Sequence, residues 1–145
     1  MDRNRLNGIE IGSRIYINIS DAGFWIIQSE EEVFSLEDMT DFFRAWLLLE
    51  RKFPDAKLAI DRLSINGNPV TPFSYWKLVG SAIKAKSAQW TDRAMNWIPF
   101  LPSSEKILLE DLLVEVRESK WASQKSRQLS RRYLNEIEVF LKQCY

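Results

Sequence analysis

Isoleucine alternates with other residues near the start of the chain, and this pattern restricts the fold more than any other feature. It recurs at positions 9, 11, 15, 17 and 19, which is the period-two spacing of a strand with one buried face. β-branched side chains also fit a pleated surface well. We therefore predict one strand over residues 9–19.

A second strand is predicted directly after it. Residues 20–23 read Ser-Asp-Ala-Gly, which is turn chemistry, and residues 24–28 read Phe-Trp-Ile-Ile-Gln, a short apolar run. Two such runs joined by turn residues predict a β-hairpin.

A helix is predicted over residues 36–53. Ser35 followed by Asp38 matches a helix N-terminal capping pattern, and apolar residues then recur at spacings of three and four. The helix should end before Pro54, because the residue preceding a proline is disfavoured in the α region.

Residues 57–65 fit two structures. We favour a third strand, because a short loop after a helix often leads into one. The alternative is a short helix that ends at Gly67, with its inward-facing residues at Ala56, Ala59, Ile60 and Leu63.

The pattern becomes helical from Thr71 onward. Thr71-Pro72 is suited to begin a helix, and Trp76, Val79, Ile83 and Trp90 would share one face if that helix continued. Thr91-Asp92 would cap a further helix through Trp97. Residues 103–144 contain no proline or glycine, so they predict either one long bent helix or a helical hairpin.

These elements predict a single α+β domain over residues 1–145, with a small antiparallel sheet packed on a helix. The part from 9 to 70 is β-rich with one helix, and the part from 71 to 145 is helical. Only the first eight residues, MDRNRLNG, have a composition that suggests disorder.

The chain lacks the side chains on which most enzyme chemistry depends. It has no histidine, and its only cysteine is Cys144. This argues against the common general base, the commonest metal ligand and thiol chemistry. Pro54-Asp55 and Glu118-Ser119-Lys120 nominally supply a nuclease pattern, but the second part falls in helical sequence. We therefore predict a non-enzymatic protein with no catalytic residue, no cofactor and no metal site.

The same composition bears on the compartment. One cysteine permits no intramolecular disulfide, and the longest clean apolar run, residues 45–49, is much shorter than a membrane span. No secretory signal is visible. We expect a cytoplasmic protein with no membrane partner.

Charge is unevenly distributed although the net charge is zero. Residues 1–70 carry eight basic and twelve acidic side chains, and residues 71–145 carry twelve and eight. Six of the basic residues and one acid lie between 117 and 132. If this segment is helical, Lys120, Gln124, Arg127 and Arg131 line one face, where they could follow a phosphate backbone. The candidate surface for nucleic acid or an acidic partner comprises Arg117, Lys120, Trp121, Lys125, Arg127, Arg131 and Arg132.

Aromatic residues supply a second candidate surface. Trp90, Trp97 and Phe100 lie around the loop 96–103, and exposed tryptophans are enriched at the centres of protein interfaces. The alternative is that they cap the core.

Together these features predict an adaptor or regulatory protein that acts through protein–protein contacts with a partner of unknown identity. Nucleic-acid binding by the segment 117–132 is the second hypothesis, and a homo-oligomer is the third.

Overall fold

The computed structural model describes residues 8–144, in two compact units that divide between Ser74 and Tyr75. The first unit contains a four-stranded antiparallel sheet and two helical segments, and the second is helical. The α+β class is thereby confirmed. The single-domain assignment stays a prediction, and the disorder predicted for the N-terminus falls on residues outside the described ones, apart from Gly8.

The sheet has the strand order β1-β2-β3-β4. The predicted hairpin is confirmed between the second and third strands, but the single strand over 9–19 is wrong. Ser13 and Arg14 form a turn inside it, and Arg14 takes a left-handed backbone conformation with φ of 59°. The strands are β1 (Ile9–Gly12), β2 (Ile15–Ile19), β3 (Trp25–Gln28) and β4 (Val33–Ser35).

The segment after the sheet is a 3₁₀ helix, Met39–Glu50, rather than a helix over 36–53. Ser35 belongs to β4 and does not cap it. The carboxylate of Asp41 instead accepts hydrogen bonds from the backbone N–H groups of Glu37 and Asp38, which orders the chain just before the helix begins.

Residues 57–65 are helical, so the favoured strand was wrong and the alternative was correct. They lie within α1 (Phe53–Gly67), which has Pro54 in its first turn. Ala56, Ile60 and Leu63 are buried at spacings of four and three, the periodicity of a helix with one face against a core, whereas Ala59, also expected to face inward, is only half-buried.

Helix α1 approaches the sheet closely at its last residue. A Cβ on Gly67 would lie 2.6 Å from Cδ1 and 3.0 Å from Cβ of Ile19 in β2, so any other residue there requires Ile19 or the helix to shift. Asn68, with φ of 47°, ends the helix in the left-handed region.

The second unit consists of five α-helices and a 3₁₀ turn within the described residues, Ile98–Phe100. The first helix begins at Tyr75, after Thr71-Pro72, and Trp90 lies on a separate helix from Trp76. Ser87 caps that second helix by accepting the N–H of Trp90 at 3.3 Å, so Thr91-Asp92 is not the cap. The helices are α2 (Tyr75–Lys84), α3 (Ala88–Met95), α4 (Ser103–Leu108), α5 (Glu110–Glu118) and α6 (Gln124–Gln143).

Residues 103–144 form the helical hairpin rather than one bent helix. Helices α5 and α6 pack against each other through the short connection 119–123, and α4 is a separate short helix before them. Leu113 and Val116 from α5, with Tyr133 and Ile137 from α6, are buried.

Candidate functional site

The basic residues between 117 and 132 are distributed over three elements. Arg117 lies in the last turn of α5, Lys120 and Trp121 lie in the connection, and the remaining basic residues lie on α6. Lys120 therefore does not continue a helical row with Arg127 and Arg131. The helical face predicted for Lys120, Gln124, Arg127 and Arg131 is thus incomplete, because Lys120 lies outside α6.

Two of these arginines bind other groups of the same chain. The guanidinium of Arg127 donates to the carbonyl oxygen of Ala122 at 3.0 Å and to that of Ser119 at 3.4 Å. Arg117 forms an ion pair with the neighbouring Glu118 at 3.1 Å. Arg127 thus stabilises the connection between α5 and α6, and its side chain is only partly available to a ligand.

The connection is also held by Asp92 of α3. Its Oδ1 accepts hydrogen bonds from the hydroxyls of Ser123 and Ser126, the latter at 2.6 Å. Ser123 in turn caps α6 by accepting the N–H of Ser126 at 3.1 Å. Ser123 and Ser126, which lie between the basic residues, therefore order the hairpin.

An exposed basic surface remains on the first half of α6. Lys125, Arg131 and Arg132 are exposed there, on the side opposite the buried Ser130 and Tyr133. We call these three residues the α6 basic patch. It is smaller than the predicted surface, and the exposed Gln124 and Gln128 lie among its members.

The aromatic surface predicted at residues 90–100 is not assembled. Trp97 is 1% exposed and packs edge-on against Tyr75, with ring centroids 6.2 Å apart. Trp90 is half-buried under the guanidinium of Arg93, and Phe100 alone is well exposed, at 53%. Helix α3 ends at Met95, so Trp90 and Trp97 do not share one helical face, and Trp97 belongs to the core.

The structure reveals a surface that the sequence patterns did not indicate, the outer edge of β4. Val33 is 61% exposed, Ser35 is exposed and Phe34 is half-buried. The guanidinium of Arg44, on the 3₁₀ helix, lies 3.9 Å from the ring centre of Phe34 and 4.5 Å from that of Phe43. This contact holds Phe34 in place beside the edge.

The register shows which backbone groups lie on that edge. Leu36 donates to the carbonyl of Trp25, and Ser29 donates to that of Glu32, while Ile27 pairs with Phe34 between them. Hydrogen-bonded and non-hydrogen-bonded pairs alternate in an antiparallel ladder. The N–H and C=O groups of Val33 and Ser35 therefore point away from β3, and no strand among residues 8–144 pairs with that side.

The opposite edge of the sheet is covered differently. The guanidinium of Arg51 donates to the carbonyl oxygen of Glu10 in β1, and an ideal Cβ on Gly12 would lie 2.7 Å from Cδ1 of Leu47. Side chains thus lie against β1 and occupy one of its carbonyl groups. Among the described strands, β4 presents the more open edge.

Acidic residues lie before and after β4. Glu31 and Glu32 precede it, and Glu37 and Asp38 follow it; all four are exposed. Glu30 forms an ion pair with Arg14, and the Asp41 carboxylate accepts a backbone hydrogen bond.

No group of three or more potential ligand residues with metal-binding geometry occurs in residues 8–144, and no helix there has both the length and the apolar character needed to cross a bilayer.

Comparison of the chain with protein-family models, with curated proteins and with solved structures finds no match.

Proposed function

We propose that this protein is a non-enzymatic, cytoplasmic adaptor or regulatory protein that binds a protein partner at the outer edge of β4. One observation carries the proposal: the backbone groups of Val33 and Ser35 point outward from an exposed edge strand. An extended segment of another chain can add to such an edge as a further strand.

The chemistry around β4 favours a protein over a nucleic acid. Four exposed carboxylates flank the strand, and they would repel a phosphate backbone. The exposed Val33 and the ring of Phe34 supply apolar contacts to side chains. Backbone hydrogen bonds would provide affinity and these apolar contacts would provide selectivity.

Replacing Ser35 with proline tests the proposal. Proline removes the outward N–H of Ser35, but it leaves the ladder to β3 intact because that N–H does not point toward β3. The control variant is Ser103→Pro, since Ser103 is the first residue of α4, a position where proline is readily accommodated.

Full-length tagged forms of the wild type and both variants would be used as baits, with and without nuclease treatment. We expect the wild type and Ser103→Pro to retain the same protein, and Ser35→Pro to lose it while keeping its circular dichroism spectrum. Equal retention by all three baits would show that β4 is not the docking edge.

The α6 basic patch supports nucleic-acid binding as a second candidate function. Its three exposed cations, Lys125, Arg131 and Arg132, can contact phosphates, and such binding weakens steeply with salt. The test is retardation of DNA and RNA at low salt by the wild type and by a variant with all three residues changed to glutamate. Arg127 is left unchanged because its side chain stabilises the hairpin. Absence of retardation for the wild type would exclude this candidate.

A further inference from the structure

We infer that the partner of β4 is an extended basic segment, with an apolar residue at its centre and lysine or arginine beyond both ends. The inference rests on the proposed function, and it adds the chemical class of the partner. It depends on the pairing geometry of β4 and on the charges at each end of the strand.

Pairing geometry accounts for the apolar centre. In an antiparallel arrangement, Val33 and Ser35 would form hydrogen-bonded pairs with the incoming strand, and Phe34 would form the non-hydrogen-bonded pair between them. Side chains approach most closely in the latter kind of pair, with Cα atoms about 4.5 Å apart. The residue opposite Phe34 would therefore pack beside its ring, on the face of the sheet where Arg44 lies. An apolar side chain is favoured there.

The acidic residues near β4 explain why the ends of the partner segment should be basic. Glu31 and Glu32 lie at one end of β4, and Glu37 and Asp38 lie at the other. Among residues 8–144, Arg14 is paired with Glu30, and Arg44 is stacked on Phe34 and Phe43. The carboxylate of Asp41 is occupied by backbone N–H groups. Glu31 and Glu32 at one end and Asp38 at the other are exposed, so an acidic side chain is accessible at each end of the strand.

The same charges oppose a second copy of this chain as the partner. Antiparallel pairing of two β4 edges would bring Glu31 and Glu32 of one copy toward Glu37 and Asp38 of the other. Like charges on adjacent strands are destabilising, and charged residues at edge strands are a common protection against self-pairing. The α6 basic patch has the right charge, but it is helical and cannot add to a sheet edge.

Three synthetic peptides provide the test. Each has the centre Thr-Val-Thr-Val-Thr-Val-Thr, and the two residues at each end are lysine, serine or glutamate. At about 3.4 Å per residue, such a peptide extends past both ends of β4. Binding to the full-length protein would be followed by amide chemical shifts, and affinities would be measured at low and at physiological salt.

We expect the lysine peptide to bind at least about tenfold more tightly than the serine peptide at low salt, with the difference reduced as salt screens the charges. Shifts should centre on the amides of Val33 and Ser35, and Ser35→Pro should abolish them. Glu31→Lys combined with Glu32→Lys should remove the preference for the lysine peptide. The matched control, Asp111→Lys with Glu115→Lys on α5, makes the same change in net charge at exposed positions and should leave the preference unchanged.

Other outcomes separate this inference from the proposed function. Equal binding of the lysine and serine peptides at β4 would overturn the basic class and support the edge as a docking site. Binding of the lysine peptide that survives Ser35→Pro would overturn the pairing geometry. If no peptide binds, but Ser35→Pro still loses a captured partner, the partner class is wrong and the proposed function stands. If neither assay depends on Ser35, both fail.

Discussion

At the scale of single residues, Arg127 shows that a cation in a basic segment can have a structural role. Its guanidinium reaches back from α6 to the carbonyl oxygens of Ser119 and Ala122. Those carbonyls lie where α5 has ended, so helical hydrogen bonds do not satisfy them. Arg127 therefore stabilises the connection in which the chain reverses direction between α5 and α6.

We expect Arg127→Ala to destabilise the protein by about 2 kcal/mol, because hydrogen bonds from a charged donor are worth more than neutral ones. Lys125→Ala, on the exposed side of the same helix, should change the unfolding free energy by less than about 0.5 kcal/mol. Urea unfolding followed by tryptophan fluorescence measures both. Equal effects of the two variants would contradict the structural role of Arg127.

Tyr133 predicts a dependence of stability on alkaline pH. Its hydroxyl donates to the carbonyl oxygen of Met95 at 3.0 Å. Burial, with a contribution from Glu136 and opposed by Arg132, raises the pKa of Tyr133 above its ordinary value. The folded chain holds this proton more tightly than the unfolded chain. Its contribution to stability is therefore complete below pH about 10 and is lost as the pH rises through the raised pKa.

Tyr133→Phe tests this dependence. The variant should be less stable by about 1 kcal/mol at neutral pH, because it leaves the carbonyl of Met95 without this donor. Its unfolding free energy should then fall less steeply than that of the wild type above pH about 10. Unfolding curves collected from neutral to alkaline pH measure both effects, and identical slopes would show that Tyr133 does not cause the alkaline loss of stability.

At the scale of elements, helix α1 depends on its contact with the sheet at Gly67. Glycine to alanine within a helix normally stabilises it by about 0.5–1 kcal/mol. Here the added methyl group would meet Ile19 at 2.6 Å, so we expect Gly67→Ala to destabilise by about 1–3 kcal/mol through overpacking. Asn66→Ala, one residue earlier and exposed, is the control. Thermal unfolding of both variants decides the sign, and stabilisation by Gly67→Ala would contradict the close contact.

The elements differ in how far the sequence determined them. The hairpin of β2 and β3 was predictable because alternation and turn residues are local signals. For α1, the exposed Leu58 and Ile65 obscured the helical spacing of Ala56, Ile60 and Leu63. Only the sheet beneath α1 shows which of these apolar residues face inward.

The candidate site was less predictable than the fold. β4 was not predicted, because its three residues, with one half-buried side chain, are too few to show a period. The spacing from Ser35 to Asp38 was interpreted as a helix cap instead. The exposed edge itself is a property of strand order, which arises from tertiary pairing. The single helical face predicted for residues 117–132 is interrupted at Ser119. Its extended backbone ends α5, and no proline or glycine in the sequence indicates this break.

At the scale of the whole molecule, the uneven charge bears on self-association. An exposed strand edge favours pairing between copies, yet the acidic residues beside β4 oppose it. We expect the wild type to be a monomer at micromolar concentration and physiological salt. Glu31→Gln combined with Glu32→Gln removes two of these charges from each copy while keeping the side-chain shape. This variant should therefore associate as its concentration rises.

Light scattering at increasing concentration measures the difference, with Asp111→Asn combined with Glu115→Gln as the control for net charge. Adding Ser35→Pro to the associating variant should restore the monomer, because the new contact would require the outward N–H of Ser35. A neutralised variant that stays monomeric would show that the acids do not keep two copies apart. A wild-type dimer that Ser35→Pro dissociates would make a second copy of this chain the occupant of β4, and would contradict both the monomer and the basic partner.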